Sequence, residues 1–106
     1  MTESRLKKLE AMLANDPTDQ LLKYMVALEL DKATEHDRSL QLLGELMDTN
    51  LPYVPAFLMA GQQQAAIGQR NAARLTWQAG IQAARLQNDE HAAGEMTQFL
   101  SELTED

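Results

Sequence analysis

The sequence predicts an all-α protein of about six helices joined as antiparallel hairpins. Ala, Leu, Gln, Glu and Met dominate its 106 residues, and all five are good helix formers. Val and Ile together number only four, too few to cover the faces of a sheet. Apolar residues also recur at helical spacing between short breakers, and the short loops favour antiparallel neighbours.

The first half of the chain predicts three helices. The first ends at Asp16-Pro17, because the residue before a proline disfavours the helical conformation. Thr18 or Asp19 begins the second helix, which fades near residues 32–35, and the third runs from about Asp37 to Met47. Their apolar positions, in chain order, are Leu6, Leu9, Met12 and Leu13; Leu21, Leu22, Met25, Val26, Leu28 and Leu30; Leu40, Leu43, Leu46 and Met47.

The second half predicts three more helices. The fourth begins near Tyr53, tolerates Pro55 in its first turn, and ends at Gly68, a residue suited to a left-handed stop. The fifth runs from about Asn71 to Leu86, and the sixth follows a cap at residues 88–89. We expect the fifth helix to bury Ala73, Leu75, Trp77, Gly80 and Ile81. The apolar positions of the sixth helix are Ala92, Met96, Phe99, Leu100 and Leu103.

An offset of 34 residues superposes the second and third helices on the fourth and fifth. Small residues fall on small ones, with Ala27 on Gly61 and Ser39 on Ala73, and Leu43 falls on Trp77. Because antiparallel helices approach to about 8–10 Å only where side chains are small, we predict that Ala27 faces Ser39 at the crossing of one hairpin and that Gly61 faces Ala73 at the crossing of the next. Large residues such as Leu43 and Trp77 are expected to fill the space between successive hairpins.

One stretch of this repeat resembles the tetratricopeptide-repeat (TPR) family. Phe57 stands at the family's large aromatic position and Gly61 at its small glycine, while Gly68 lies in the turn. Ala73 matches the small position of the second helix, and Trp77 replaces the usual Tyr or Phe.

The resemblance weakens at other positions. Ala60 stands where Leu is usual, Gln64 where an aromatic is common, and Arg85 near the place of a closing proline. In the preceding unit Lys23 occupies the aromatic position, although Asp16-Pro17 matches the Asp-Pro that closes a TPR unit.

The resemblance implies one TPR-like domain over residues 1–106, with its hairpins stacked as a short right-handed superhelix. Residues 1–17 would form a half-repeat cap, 18–52 the first repeat, 53–87 the second, and 88–106 a capping helix. Glu95 occupies the small position of the last helix, which is why that helix is assigned to a cap.

The resemblance also implies a binding surface, because the first helix of each TPR pair lines a concave groove. The exposed stripe on those helices includes Leu21 on the second helix, Pro55 on the fourth, and Ala92 and Phe99 on the sixth. The residues that we predict to bind a partner are Tyr24, Leu28, Asp31, Leu58, Gln62, Ala65 and Met96.

The charges along this stripe bear on the kind of ligand that it could bind, and the stripe could also be covered within the protein. Some TPR domains hold a terminal carboxylate with Lys, Asn and Arg, but Lys23 and Lys32 are the nearby cations and neither is well placed. As an alternative, the sixth helix or a sister subunit covers Tyr24, Leu28 and Leu58.

The composition narrows the classes of partner. A net charge of −7 repels phosphate backbones, so no nucleic-acid partner is predicted. No apolar run approaches the roughly 20 residues of a membrane span or resembles a signal-peptide core, so we predict no membrane association. The absence of cysteine excludes disulfides, which fits the cytoplasmic location that we predict.

The sequence offers little catalytic chemistry. It has no Cys nucleophile, Gly-x-Ser-x-Gly elbow or P-loop, and its histidines, His36 and His91, fall in different hairpins. Asp89 and Glu90 suit a helix N-terminus better than acid–base catalysis. We therefore predict no enzymatic activity, no cofactor and no metal site, and we expect Met12, Met47 and Met96 to fill the core.

Three hypotheses about function follow. The first is an adaptor that binds a peptide or helix of a partner protein through a mostly apolar concave face. The alternative is a homo-oligomerisation module or a structural subunit of a larger assembly. The third, from a different class, is a small enzyme built on His36 or His91.

Overall fold

The computed structural model consists of six α-helices, and it describes the backbone of residues 2–105 and the side chains of residues 5–103. No strand occurs within that backbone range. The predicted all-α class of packed helical hairpins is confirmed. The helices are α1 (Thr2–Asn15), α2 (Gln20–Lys32), α3 (His36–Met47), α4 (Val54–Ala66), α5 (Arg70–Leu86) and α6 (Glu90–Glu105).

The chain divides into two compact units. The N-terminal unit, Met1–Thr49, contains α1 to α3, and the C-terminal unit, Asn50–Asp106, contains α4 to α6. The predicted boundary between the two repeats, at residues 52 and 53, lies three residues after this division. The single domain over residues 1–106 and the superhelical stacking of its hairpins stay predictions.

Aspartate side chains cap two of the helices at their N-terminal ends. The Oδ1 atom of Asp19 accepts a hydrogen bond from the backbone N–H of Leu22 at 2.9 Å. The Oδ1 atom of Asp89 accepts one from the N–H of Ala92 at 3.1 Å. Each satisfies a backbone donor that has no partner within the helix, as predicted for the starts of α2 and α6.

Left-handed residues follow α2, α4 and α5. They are Thr34, Gly68 and Asn88, with φ angles of 62°, 86° and 60°. At each site the next N–H donates a 2.8–2.9 Å hydrogen bond to a carbonyl five residues earlier, as in a Schellman motif. The stop at Gly68 was predicted, whereas Thr34, 34 residues before it, adopts the same conformation without being glycine.

The N-terminal unit packs its helices around a small aliphatic core. Leu9, Val26 and Leu30 form the buried centre of α1 and α2. The predicted contact between Ala27 and Ser39 is confirmed, because the buried Ser39 hydroxyl donates a 2.6 Å hydrogen bond to the Ala27 carbonyl. Met12 is 52% exposed, so its predicted role as core filler is wrong.

The C-terminal unit sets α5 antiparallel to both α4 and α6. At the end of α5, the Gln87 side chain donates a 2.7 Å hydrogen bond to the carbonyl of Pro52, just before α4. At its start, the Arg70 guanidinium donates to the carbonyl of Leu103, near the end of α6. Leu75 is 67% exposed, so the prediction that α5 buries it is wrong.

Candidate partner-binding groove

The absence of a side chain at Gly61 makes room on α4 for the ring of Trp77. A Cβ built on Gly61 would lie 2.2–2.6 Å from atoms of the indole, well inside contact distance. We expected Ala73 to be opposite Gly61, but the three atoms nearest to such a Cβ all belong to Trp77, one helical turn further along α5. Ala73 is also buried, so both predicted small positions lie inside the unit.

Trp77 joins all three helices of the C-terminal unit. Its ring stacks on Phe99 of α6, with centroids 5.3 Å apart and an angle of 17° between the planes. Its Nε1–H donates a 3.3 Å hydrogen bond to the carbonyl of Leu58 on α4. Since the indole is only 3% exposed and its donor is satisfied, the ring is held in place.

An open groove of about 380 Å³ lies beside this aromatic pair, between the C-terminal ends of α4 and α6. Its volume falls at the small end of the roughly 300–1,000 Å³ range of ligand sites. Apolar and small side chains make up most of its lining, with one amide and one carboxylate. The lining residues are Gln62, Ala65 and Ala66 of α4, Trp77 of α5, and Phe99, Glu102 and Leu103 of α6.

Charge is segregated among the helices that surround the groove. Helix α4 contains no charged residue, α5 contains arginines but no Asp or Glu, and α6 contains four Glu and no Lys or Arg. Within the groove itself Glu102 is the lining residue with a formal charge, and the Gln98 amide donates to it at 3.3 Å. The groove is therefore apolar with an acidic edge.

Four of the seven predicted partner-binding residues lie in the C-terminal unit. Gln62 and Ala65 are half-buried and line the groove, and Leu58 is half-buried one turn before Gln62. Met96 is fully buried, at 0% exposure, and its sulfur would lie 2.5 Å from a Cβ on Gly80. The sequence predicted Met96 both in the core and on the binding surface. The core assignment is confirmed, and the assignment to the binding surface is wrong.

The other three, Tyr24, Leu28 and Asp31, lie along α2 in the N-terminal unit and are each half-buried. The Asp31 carboxylate lies 2.8 Å from Nδ1 of His36, so it already has an ionisable neighbour. Their part in binding stays a prediction.

Sequence reasoning missed Glu102 and Leu103 as groove residues. They lie three and four residues after Phe99, which belonged to the predicted stripe, so one more turn of the same helical spacing includes them. Trp77 was assigned to the interior, as observed, but nothing in the helical pattern indicated that its ring also borders an open cavity.

Several cations of the N-terminal unit lie beside carboxylates. Lys23 lies 3.1 Å from Glu45, and both Lys32 and Arg5 reach Glu29, at 3.4 Å and 2.7 Å. The hydrogen bond from Arg5 is the main reason that the pKa of the Glu29 carboxyl is lowered.

The two histidines have separate carboxylate neighbours. His36 lies beside Asp31, and Nε2 of His91 lies 3.5 Å from Glu95 one turn later on α6. Among the described residues, no three His, Cys, Asp or Glu side chains are grouped in a way that would hold a metal ion. No described helix has the length and apolar character needed to cross a membrane.

Comparison with known proteins supports the family resemblance. No protein-family model matches the chain. It is 28% identical over 98 residues to the TPR repeat-containing protein PA0015 of Pseudomonas aeruginosa, covering 92% of this chain and 93% of the relative. It also matches the solution structure of protein BPP2914 from Bordetella parapertussis, with a TM-score of 0.79 and 28% identity over 94% of this chain and 87% of the other.

Both matches extend well beyond the residues that first suggested the family. The resemblance was strongest between Phe57 and Trp77, yet the sequence similarity to a TPR repeat-containing protein covers nearly the whole chain. The packed hairpins of both units and the likeness to a second small helical protein are consistent with it. These similarities support a TPR-like family for the chain.

Proposed function

We propose that the protein is a non-catalytic interaction module that binds a segment of another protein in the groove between α4 and α6. The observation that supports this most directly is the groove beside Trp77, which combines an aromatic floor with one amide and one carboxylate. Sites with mostly apolar walls and a few polar groups are typical of specific binding. The TPR-like character of the chain agrees with an interaction role.

The rigidity of the groove floor favours binding. Trp77 is fixed by its stack on Phe99 and its hydrogen bond to Leu58, so a ligand would not have to order it. A preorganised surface loses less conformational entropy when a partner docks. The half-buried residues Gln62 and Ala65 give this floor a wall that a peptide or helix could contact.

The stripe of Tyr24, Leu28 and Asp31 on α2 is a separate candidate contact surface, within the N-terminal unit. These half-buried side chains occur at three- and four-residue spacing, so they share one face of the helix. An amphipathic helix or an extended apolar segment is the kind of ligand that such a face accommodates.

A paired substitution tests the proposal. The wild-type chain and an Ala65→Arg variant, which fills the groove with a long charged side chain, would each be used for affinity capture from the native cell extract. Ala11→Arg is the matched control, because Ala11 is exposed on α1 and lies outside the groove. A protein retained by wild type and Ala11→Arg but lost with Ala65→Arg supports the proposal.

The opposite result rejects the groove as the binding site. If the retained proteins are the same for all three chains, and circular dichroism shows that Ala65→Arg is folded, the partner binds elsewhere. In that case Tyr24→Ala provides the corresponding test of the stripe on α2.

Self-association is a second candidate, favoured by a different surface. Leu75 and Leu86 of α5 are 67% and 84% exposed, and the exposed residues Ala79 and Gln82 lie between them on one helical face. A second copy could cover this stripe. Light scattering at about micromolar concentration decides: a strict monomer removes this candidate, and a dimer that Leu75→Gln dissociates supports it.

A further inference from the structure

We infer that the groove between α4 and α6 selects a cationic amphipathic segment, in which a bulky apolar side chain lies one helical turn from a Lys or Arg. This inference rests on the proposed function and specifies the chemistry of the partner. The apolar side chain would pack against Phe99 and Ala65, and the cation would pair with Glu102 at the edge of the groove.

The charge of the lining residues is the first reason. Glu102 contributes the formal charge among them, and its described hydrogen-bond partner is the neutral amide of Gln98, so its charge is not cancelled by that contact. Lys or Arg can replace or supplement the Gln98 contact with a charge-assisted hydrogen bond. A carboxylate brought to the same edge would meet like charge.

The arrangement of the surrounding helices is the second reason. The walls of the groove come mainly from α4, which has no charged residue, and α6, which has four Glu and no Lys or Arg. The Arg70 guanidinium of α5 donates to the carbonyl of Leu103, a residue of the groove lining. Arg74 is bound to the Asn71 side chain on α5, at 2.7 Å, and Arg85 lies at the other end of that helix.

The aromatic floor is the third reason. The half-buried ring of Phe99 stacks on Trp77 and lines the groove. Cations are attracted to the faces of aromatic rings, most strongly where water is partly excluded. The ring and the carboxylate thus favour the same sign of charge in a ligand that also has apolar surface to bury.

Fluorescence of Trp77 provides a direct measurement, because it is the only tryptophan in the chain and it lines the groove. The probes are three synthetic helical peptides without Trp or Tyr that share one leucine face and differ at two flanking positions, which are Lys, Gln or Glu. Titrating each into the full chain yields an affinity from the change in emission. We expect the order Lys over Gln over Glu, with the Lys peptide weakened by added salt.

Variants at two glutamates separate groove binding from general attraction to an acidic chain. Glu102→Gln should weaken the Lys peptide about two- to fivefold, the range expected for one exposed ion pair, and should leave the Gln peptide unchanged. Glu102→Lys should reverse the preference between the Lys and Glu peptides. The control is Glu95→Gln, which removes the same charge from α6 outside the groove lining.

Each other outcome has a stated meaning. Equal binding of the three peptides, lost in Ala65→Arg, overturns the charge selectivity but supports the proposed groove. Weakening of the Lys peptide by Glu95→Gln as much as by Glu102→Gln also overturns it, since the attraction is then non-specific. If none of the three peptides changes the emission of Trp77, the inferred ligand is wrong. If the emission changes with protein concentration alone, the inferred ligand is also wrong, and a second copy of the chain occupies the groove.

Discussion

The α2–α3 hairpin and the α4–α5 hairpin occupy equivalent places in a 34-residue repeat but are stabilised in different ways. In the first, Ala27 and Ser39 meet at the crossing, and the buried serine hydroxyl donates to the facing carbonyl at 2.6 Å. In the second, Gly61 and Ala73 occupy these positions with no side-chain polar group, and the space over Gly61 is filled by Trp77. Equivalent positions of the repeat are thus filled by a hydrogen-bonded serine in one hairpin and by an aromatic ring in the other.

A second difference lies at the large position of each hairpin. Leu43 in α3 and Trp77 in α5 are both buried, at 0% and 3% exposure. Leucine contributes only apolar area, whereas the indole also stacks on Phe99 and donates to Leu58. Trp77 therefore contacts all three helices of its unit and also lines the groove. A leucine at this position would give the groove no aromatic ring.

Ion pairs show a third difference between the two units. In the N-terminal unit Arg38 of α3 lies 2.9 Å from Glu10 and 3.2 Å from Glu35, and these carboxylates raise its pKa further. In the C-terminal unit the described contacts between helices are mainly neutral, such as the 2.7 Å hydrogen bond from Thr76 to Gln64. The contrast predicts that the two units respond to different perturbations.

The largest effect is expected from truncating the two large positions. Trp77→Ala should lower the free energy of unfolding of the C-terminal unit by about 3–5 kcal/mol, because it leaves a cavity and removes the stack on Phe99. Leu43→Ala should cost the N-terminal unit about 2–5 kcal/mol. Hydrogen exchange measured residue by residue resolves the two units, where a single melting curve would average them.

Trp77→Leu sharpens this first comparison, because it gives the α4–α5 hairpin the leucine that the α2–α3 hairpin has at the equivalent position, Leu43. If the C-terminal unit needs only apolar volume, the variant should lose much less stability than Trp77→Ala. If the stack and the hydrogen bond to Leu58 matter as proposed, α6 should lose exchange protection in both variants.

The next effect concerns the glycines. Gly61→Ala should destabilise the C-terminal unit by about 1–3 kcal/mol, because the new methyl group overlaps the fixed Trp77 ring. Gly94→Ala is the matched control on α6, where nothing lies within 4 Å of the added carbon, so it should gain about 0.5–1 kcal/mol. Urea unfolding followed by Trp77 fluorescence measures both, and a stabilised Gly61→Ala would show that the ring moves freely.

Most of the helical framework could be predicted from the sequence, because spacing and caps are local signals. Asp19, Gly68 and Asp89 mark helix ends by chemistry that needs no tertiary information. The errors at Met12 and Leu75 arose because helical spacing shows which residues share a face but not how wide the covered part of that face is.

The candidate groove was less accessible to sequence reasoning. The stripe on α4 was predicted through Gln62 and Ala65, since the family places the first helix of each pair on the binding face. Met96 was misassigned, because the space left by Gly80 admits its sulfur and draws the side chain into the core. That depends on the angle between α5 and α6, which no local pattern specifies.

A smaller effect is expected at the left-handed helix stops. Thr34→Gly should raise the free energy of unfolding of the N-terminal unit by about 1 kcal/mol, because its φ of 62° is unfavourable for a β-branched residue. Gly68→Thr, the reverse exchange 34 residues later, should cost the C-terminal unit a similar amount. If Thr34→Gly destabilises instead, the hydrogen bond from the Thr34 hydroxyl to the Ala33 carbonyl outweighs the strain.

The smallest effect that we expect is a pH dependence of the stability of the N-terminal unit, caused by the Glu29 carboxyl. Its side chain is 5% exposed and accepts from Arg5 at 2.7 Å, with Lys32 also near. These cations lower the pKa of the Glu29 carboxyl from 4.5, mainly through the Arg5 hydrogen bond and against the effect of burial. Because the folded-state pKa is depressed, the stabilisation is present above pH 4.5 and is lost as the pH falls through the lowered value.

We therefore expect amide protection of α2 to decline as the pH is lowered from about 7 to about 3, and expect Glu29→Gln to weaken that dependence. Glu29→Gln should also be less stable than wild type at neutral pH, since the amide cannot form the charged contact with Arg5. Glu45→Gln is the control in the same unit, because Glu45 is a more exposed ion-pair partner, of Lys23. If both variants keep the wild-type pH dependence, the acid sensitivity of the N-terminal unit originates elsewhere, and the contrast drawn from its ion pairs does not extend to Glu29.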